Sequence, residues 1–450
     1  MPSSLTGRDG AAAPSGGWTA DIDDFVAGRW INPVTGTPAR VPYESIVIED
    51  SLAGREADLV ASMRLGERLA IVADEATFDV MGGRIERALK HLSPTVIVLK
   101  RPHADMAEAA ALKEKLAGFD GAVAVGSGTI NDLVKFVTAA DGRRYCVFGT
   151  AASMNGYTST TASMTLESGL KVSLPAHAPV GFFADLTVSA EAPVRLSAAG
   201  FGDCLARSVA QIDWWFSHRL LGTPYFQMPY TIQEKDEAEL NARAAGIAGH
   251  EVAANGYLHR VLTLCGLGIS FTGVSNHGSM GEHQISHYID CFAGDRHPGT
   301  LHGQQVGVAS LTMARLQQEM LASDVAPVVR PTVIDEAGMI ARMGPAIAAE
   351  CLAEYRKKAL DDAGAAALNA RLETLWPDLR RELTAFAIPV PEMRRLLAAA
   401  GGAVTAAELG VPTDFYREAV LHCREMRNRF SMLDVADDAG LLRDFVAGEA

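Results

Sequence analysis

From about residue 45 the chain alternates short apolar runs with segments whose apolar positions recur at helical spacing. SIVIED (45–50), RLAIVAD (68–74), TVIVLK (95–100), GAVAVG (121–126) and YCVFGT (145–150) read as buried strands. Between them IERALKHL, MAEAAALKEKLAGF and INDLVKFVTAA carry one apolar stripe each. Strand–helix–strand units of this length imply a parallel sheet covered on both faces, with ligands bound outside the carboxyl ends of its strands. After LPAHAPVGFFADLTVSAEAP (174–193) the texture changes, and helical patterns run to residue 450. Pro179 and Pro193 mark the changeover, so the expected division is residues 45–190 as an α/β domain and 191–450 as an all-α domain.

Hydrophobic content of 48% with 21% charged residues belongs to a water-soluble globular chain, and 450 residues exceed one ordinary core. A formal charge of −14 argues against general nucleic-acid binding, which needs a basic footprint, while leaving a small anionic substrate open. Residues 1–44 are expected to form a flexible leader and N-terminal extension; MPSSLTGRDGAAAPSGG has no apolar core for a signal peptide. No apolar run reaches the length of a membrane span. The six cysteines are scattered, without a C-x-x-C pair, which suits a cytoplasmic location and argues against a cysteine zinc site.

Candidate chemistry clusters late in the chain. His277, His283, His287, His297 and His302 fall within 26 residues, and on a helix His283 and His287 share a face. A satisfied core or surface histidine is the alternative at each position. Asp203, in RLSAAGFGDCLARSV, is the best carboxylate to complete a metal site, with an N-cap at the mouth of a helix as the alternative. Earlier, AVAVGSGTINDLVKF runs a strand through Gly126 and Gly128 into a helix opened by Asn131 and Asp132, a place where free backbone amides can meet phosphate. A plain strand-to-helix turn is the alternative, since the third glycine of a dinucleotide fingerprint is missing. Asp74 closes a strand, where it can accept from a ribose hydroxyl or cap a helix. FGTAASMNGYTSTTAS (148–163) offers the hydroxyls of Thr150, Ser153, Thr158 and Ser159 for a cofactor, or forms an ordinary Ser/Thr loop.

GSGTIND, TAASMNGYTS, GLKVSLPAHAP, AAGFGD, EHQISH and LHG occur in the order found in glycerol-1-phosphate dehydrogenases. The chain therefore resembles that branch of the iron-containing alcohol dehydrogenases, whose fold is shared with dehydroquinate synthases, over about residues 45 to 440. The resemblance implies that Asp203, His283 and His302 hold a metal and that His287 contacts substrate or relays a proton. It places the cofactor pyrophosphate at Gly128, Thr129, Ile130, Asn131 and Asp132, the nicotinamide side at Thr150, Ser153 and Ser159, and the adenosine ribose at Asp74. One departure stands out: Asn155 occupies the position where the family usually has a substrate-facing aspartate. An amide donates as well as accepts, so this change bears on the substrate and not on cofactor or metal.

The expectation is thus an N-terminal α/β dinucleotide-binding domain and an all-α C-terminal metal-binding domain with the active site between them, in a homo-oligomer. The reaction would be reversible hydride transfer between NAD(P)H, NADH favoured, and a small ketone, dihydroxyacetone phosphate being the best guess. One divalent ion is expected; Zn2+ is favoured, with Ni2+ or Fe2+ compatible with the same ligands. The alternatives are a dehydroquinate synthase-like cyclase using NAD and a metal, and a family member that binds ligand without turnover.

Overall fold

The computed structural model describes residues 13–32, 35–39 and 41–449. Six strands form one sheet: β1 (Ser45–Glu49), β2 (Leu69–Asp74), β3 (Thr95–Leu99), β4 (Gly121–Gly126), β5 (Arg144–Gly149) and, after the hairpin of β6 (Thr161–Thr165) and β7 (Lys171–Pro175), β8 (Gly181–Asp185). Its order is β1-β8-β5-β4-β2-β3, and every pairing in it is parallel. The central strands read as continuous apolar runs because both faces are covered. Ala70, Val72, Ala122 and Ala124 enter the main core on one side, while Leu69, Ile71, Val123 and Val125 enter a second core on the other. Each such buried valine or isoleucine contributes roughly 1.5–3 kcal/mol.

Strand order reverses between β2 and β4, since β2 leads outward to β3 and the chain then returns to β4 on the other side. Ala73 pairs with Val125 there, so Asp74 and Gly126 flank the crevice at the strands' carboxyl ends. Parallel sheets take their ligands at this reversal.

The helices that shape the site are α1 (Ile22–Val26), α2 (Gly128–Asp141), α3 (Val194–Leu221), α4 (Val252–Thr272), α5 (Gly281–Phe292) and α6 (His302–Ala322). Beyond β8 the described chain is helix and loop. Where α3 crosses α6, a Cβ on Gly202 would sit 2.4 Å from the Gly303 carbonyl oxygen, and one on Gly303 would sit 2.1 Å from that of Ala199. Backbone lies on backbone at this crossing, and only glycine fits. Among the described residues no helix is long and apolar enough to cross a membrane.

Of the flexible leader and N-terminal extension expected for residues 1–44, the described part from residue 13 onward packs against the rest of the chain. Residues 1–12 lie outside the described residues, but Trp18, Ile22 and Phe25 are buried. Trp18 meets Tyr257 edge-on at 5.3 Å between ring centroids. Arg260 Nη1 donates to the carbonyls of Trp18 at 2.6 Å and Ala20 at 2.9 Å, and Tyr43 donates its hydroxyl to the Thr158 carbonyl. Aromatic anchors spaced through a small-residue sequence turn this segment into a strap across α4.

Candidate active site

The fold brings three residues, one carboxylate and two imidazoles, together from three helices. His283 lies in the first turn of α5 and His287 one turn on, both buried; His302 is the first residue of α6; Asp203 lies within α3. One ligating atom from each of Asp203, His283 and His302 lies within 4.8 Å of the others. His283 Nε2 stands 3.4 Å from Asp203 Oδ1, and the rings of His283 and His302 are 5.0 Å apart between centroids. Asp203 Oδ1 is buried without a hydrogen-bond partner. A lone buried carboxylate oxygen facing two imidazoles fits a divalent cation in charge and donor type.

Asp203 is not at a helix mouth. α3 begins at Val194, directly after Pro193, and carries Asp203 in its interior. Gly200 and Gly202 mark close packing, since a Cβ on Gly200 would lie 2.0 Å from the Ala152 carbonyl oxygen.

Each imidazole is oriented from behind. Glu282 Oε1 lies 2.8 Å from His283 Nδ1, so that nitrogen carries the proton and Nε2 faces Asp203. Ser286 Oγ lies 2.9 Å from His302 Nδ1 and donates to Gln305 Oε1 at 2.8 Å. Burial works to lower the pKa of His283, but Asp203 and Glu282 outweigh it and raise it to about 9. Burial would raise the Asp203 carboxyl; His283 and His302 outweigh it and hold it below the ordinary value. Burial, reinforced by Arg427 and the two other histidines, keeps His287 far below its ordinary value and therefore neutral.

These groups line a cavity of about 360 Å³ together with Asp132, Asn155, Ser159 and the loop 273–279. Asn155 opens the short helical turn Asn155–Thr158, with Nδ2 3.6 Å from Cys265 Sγ. Arg427 and Arg429 also line it, and the sequence reading missed both. They stand 125 and more residues beyond His302, with no local pattern to tie them to it. Glu282 was visible beside His283, but nothing in the spacing assigned it a task.

The expected cofactor residues gather at the crevice, with differing roles. Gly126 ends β4, and a Cβ there would lie 2.7 Å from that of Ile130, so the strand-to-helix turn needs glycine. The amides of Gly128, Thr129 and Ile130 precede the first bond of α2, from Asn131 N to Ser127 O, and stand at the helix N-terminus. The Ile130 side chain itself is buried in the core. Thr150 follows β5, its amide donating to Gly126 O at 3.1 Å, and half-buried Ser153 lies three residues on. Two expected contacts turn inward. Asn131 is buried and donates to Gly156 O at 3.3 Å, and Ser159 Oγ binds Lys135 Nζ at 3.1 Å and Thr161 O at 2.9 Å. Thr158 likewise donates to Thr263 O at 2.9 Å. Asp132 faces the cavity 4.0 Å from Lys135 Nζ, and burial raises its pKa to about 6. Asp74 caps the helical turn after β2, accepting from Thr77 N at 2.8 Å.

Comparison with known proteins points to one family. A family model described as iron-containing alcohol dehydrogenase matches residues 47–193. A glycerol-1-phosphate dehydrogenase (NAD(P)+) of Bacillus licheniformis is 27% identical over 407 residues, spanning 89% of this chain and 90% of its own. That of Methanoculleus marisnigri is 33% identical over 251 residues, 55% of this chain and 68% of its own. Among solved structures, a probable glycerol dehydrogenase from Sinorhizobium meliloti superposes with a TM-score of 0.58 at 18% identity, covering 90% of this chain and 98% of the other.

Proposed function

Because this chain belongs to the iron-containing alcohol dehydrogenase family, and so is an oxidoreductase, we propose that it reduces a small phosphorylated ketone with NAD(P)H, dihydroxyacetone phosphate to glycerol 1-phosphate being the leading pair. The observation that carries this reading is the meeting of Asp203, His283 and His302 in a cavity beside the β2–β4 crevice. Similar chains carry the name glycerol-1-phosphate dehydrogenase, which supports the substrate and the nicotinamide cofactor.

A divalent ion held by Asp203, His283 and His302, Zn2+ by preference, supplies Lewis-acid polarisation of the ketone oxygen when bound, and the nicotinamide supplies hydride. Glu282 and Ser286 keep the ring nitrogens turned toward the site. His287 is neutral and its Nδ1 has no partner, so it can hold or pass a proton to the forming alcohol. The amides opening α2 and the hydroxyls of Thr150 and Ser153 bind and orient the dinucleotide. NADH is favoured because the Asp74 carboxylate disfavours a second phosphate on the ribose.

Asn155 tunes the choice of ketone. An aspartate in its place accepts from substrate hydroxyls and repels acceptors; the amide does both. Asn155→Asp is expected to shift kcat/KM among ketones by roughly ten- to hundredfold toward dihydroxyacetone phosphate. Assay of metal-reconstituted protein on a panel of ketones, phosphorylated and not, with NADH and NADPH, tests the proposal. Absence of dinucleotide binding in calorimetry removes it. Arg427 and Arg429 also meet the cationic requirement of a cyclase of the dehydroquinate synthase kind, and net consumption of NADH by a ketone distinguishes the two.

A further inference from the structure

Two arginines line the active-site cavity and two lysines stand behind residues that line it or lie beside it, and three of these four cations are already committed. Arg429 donates Nη1 to the Ser279 carbonyl and Nη2 to Ser275 Oγ at 2.7 Å. Lys171 is paired with Asp290 at 2.7 Å, and Lys135 is held by Ser159 Oγ and the carbonyls of Gly156 and Thr161. Arg427 differs: it lines the cavity, half-buried, with no hydrogen-bond or ion-pair partner among the described residues. Its charge acts on His287, the neutral imidazole beside the metal-ligand triad.

A guanidinium drawn away from bulk water without an acceptor is costly unless a ligand supplies one. A hydroxyl that lines the same cavity can join it. Ser275 accepts from Arg429, which leaves its own hydroxyl proton to donate.

We infer that Arg427 is the anchor for the phosphate of the substrate, its fork taking two phosphate oxygens while the Ser275 hydroxyl serves a third. This rests on the dehydrogenase reading above and deepens it, making the phosphate a requirement of the site. A phosphate monoester suits the wall better than a carboxylate because it offers three terminal acceptors to donors from two directions. Phosphate at Arg427 and carbonyl at the triad then share one cavity of about 360 Å³, which suits a short-chain ketone.

The test compares dihydroxyacetone phosphate with dihydroxyacetone, using metal-reconstituted wild type, Arg427→Gln and Arg427→Lys. The expected result is a fall in the ratio of their kcat/KM values by roughly 10- to 150-fold in Arg427→Gln, the size of a lost charge-assisted contact, with a smaller fall in Arg427→Lys. Titration of each protein with inorganic phosphate by calorimetry is expected to show weaker binding in the same order. A ratio that stays unchanged, or phosphate binding equal in wild type and Arg427→Gln, overturns the anchor. Wild type that reduces neither ketone overturns the dehydrogenase reading instead, while the phosphate titration still decides on Arg427. If Arg427→Gln fails to fold, Arg427→Lys keeps both measurements available.

Discussion

Glu282 determines which nitrogen of His283 faces Asp203. Its Oε1 accepts the Nδ1 proton at 2.8 Å, and it also accepts from Met280 N at 2.8 Å, so the carboxylate is pinned at the start of α5. Glu282→Gln keeps the shape and removes the charge, and it is expected to weaken divalent-ion affinity by about tenfold, at the mild end of the range for such supporting groups. Competition against a chelator measures this directly, and unchanged affinity would show that His283 needs no orienting. Binding also has to displace a proton from His283, whose pKa the two carboxylates raise to about 9, so loading weakens as pH falls. The grouping of Asp203, His283 and His302 was legible from the family motifs because each residue sits in a short recognisable run. Glu282 sat in the same run, yet its role depends on which way a ring turns. Arg427 and Arg429 were out of reach, since only the fold brings the segment after residue 423 to the cavity.

At the scale of elements, the crossing of α3 and α6 positions Asp203 and His302, two of the three proposed ligands. Gly303→Ala would place a Cβ 2.1 Å from the Ala199 carbonyl oxygen, and backbone cannot swing aside as a flexible side chain does. The helices must part, carrying His302 away from Asp203. The expected cost is about 1–3 kcal/mol in urea unfolding, accompanied by reduced metal content. Full metal loading in a destabilised variant would show that the triad tolerates the shift. Five strands were readable in advance because apolar runs bounded by polar segments have little alternative when both faces are buried. β8 escaped notice: GFFAD is short and lies in a Pro-rich stretch, although it pairs with both β1 and β5. The β6–β7 hairpin escaped because its Ser and Thr residues look like a loop, and Asp203 was assigned to a helix start because glycines that serve packing resemble breakers.

Across the whole molecule, two histidines away from the triad tie stability to pH. His259 is buried with Nε2 2.8 Å from Ser189 Oγ, and burial lowers its pKa to about 3. His277 is buried, donates toward the Cys265 carbonyl at 2.9 Å, and burial lowers its pKa to about 4. Unfolded, each takes up a proton near pH ~6.5. Their contribution is therefore complete above that value and declines as pH falls, because protons stabilise the unfolded chain first. By pH 5 the loss is roughly 2 kcal/mol per histidine. His259→Gln is expected to flatten the difference between urea unfolding at pH 7.5 and pH 5 by about that amount, and an unchanged slope would show that His259 does not titrate in this range.

The strap from Trp18 and the edge strand β1 also bear on the order in which a ribosome can finish this protein. β1 pairs residue for residue with β8, so Ser45–Glu49 has no partner until Gly181–Asp185 has emerged. The strap waits longer still, for Tyr257 and Arg260 on α4. The segment made early is thus locked late, leaving an apolar strand waiting through roughly a third of synthesis and a tryptophan through about half. Long-range pairings of this kind are slow to close and open to association with other chains while they wait. Nascent-chain chaperones are the natural custodians of that interval, and yield on expression should respond to them more than to any change in the finished site.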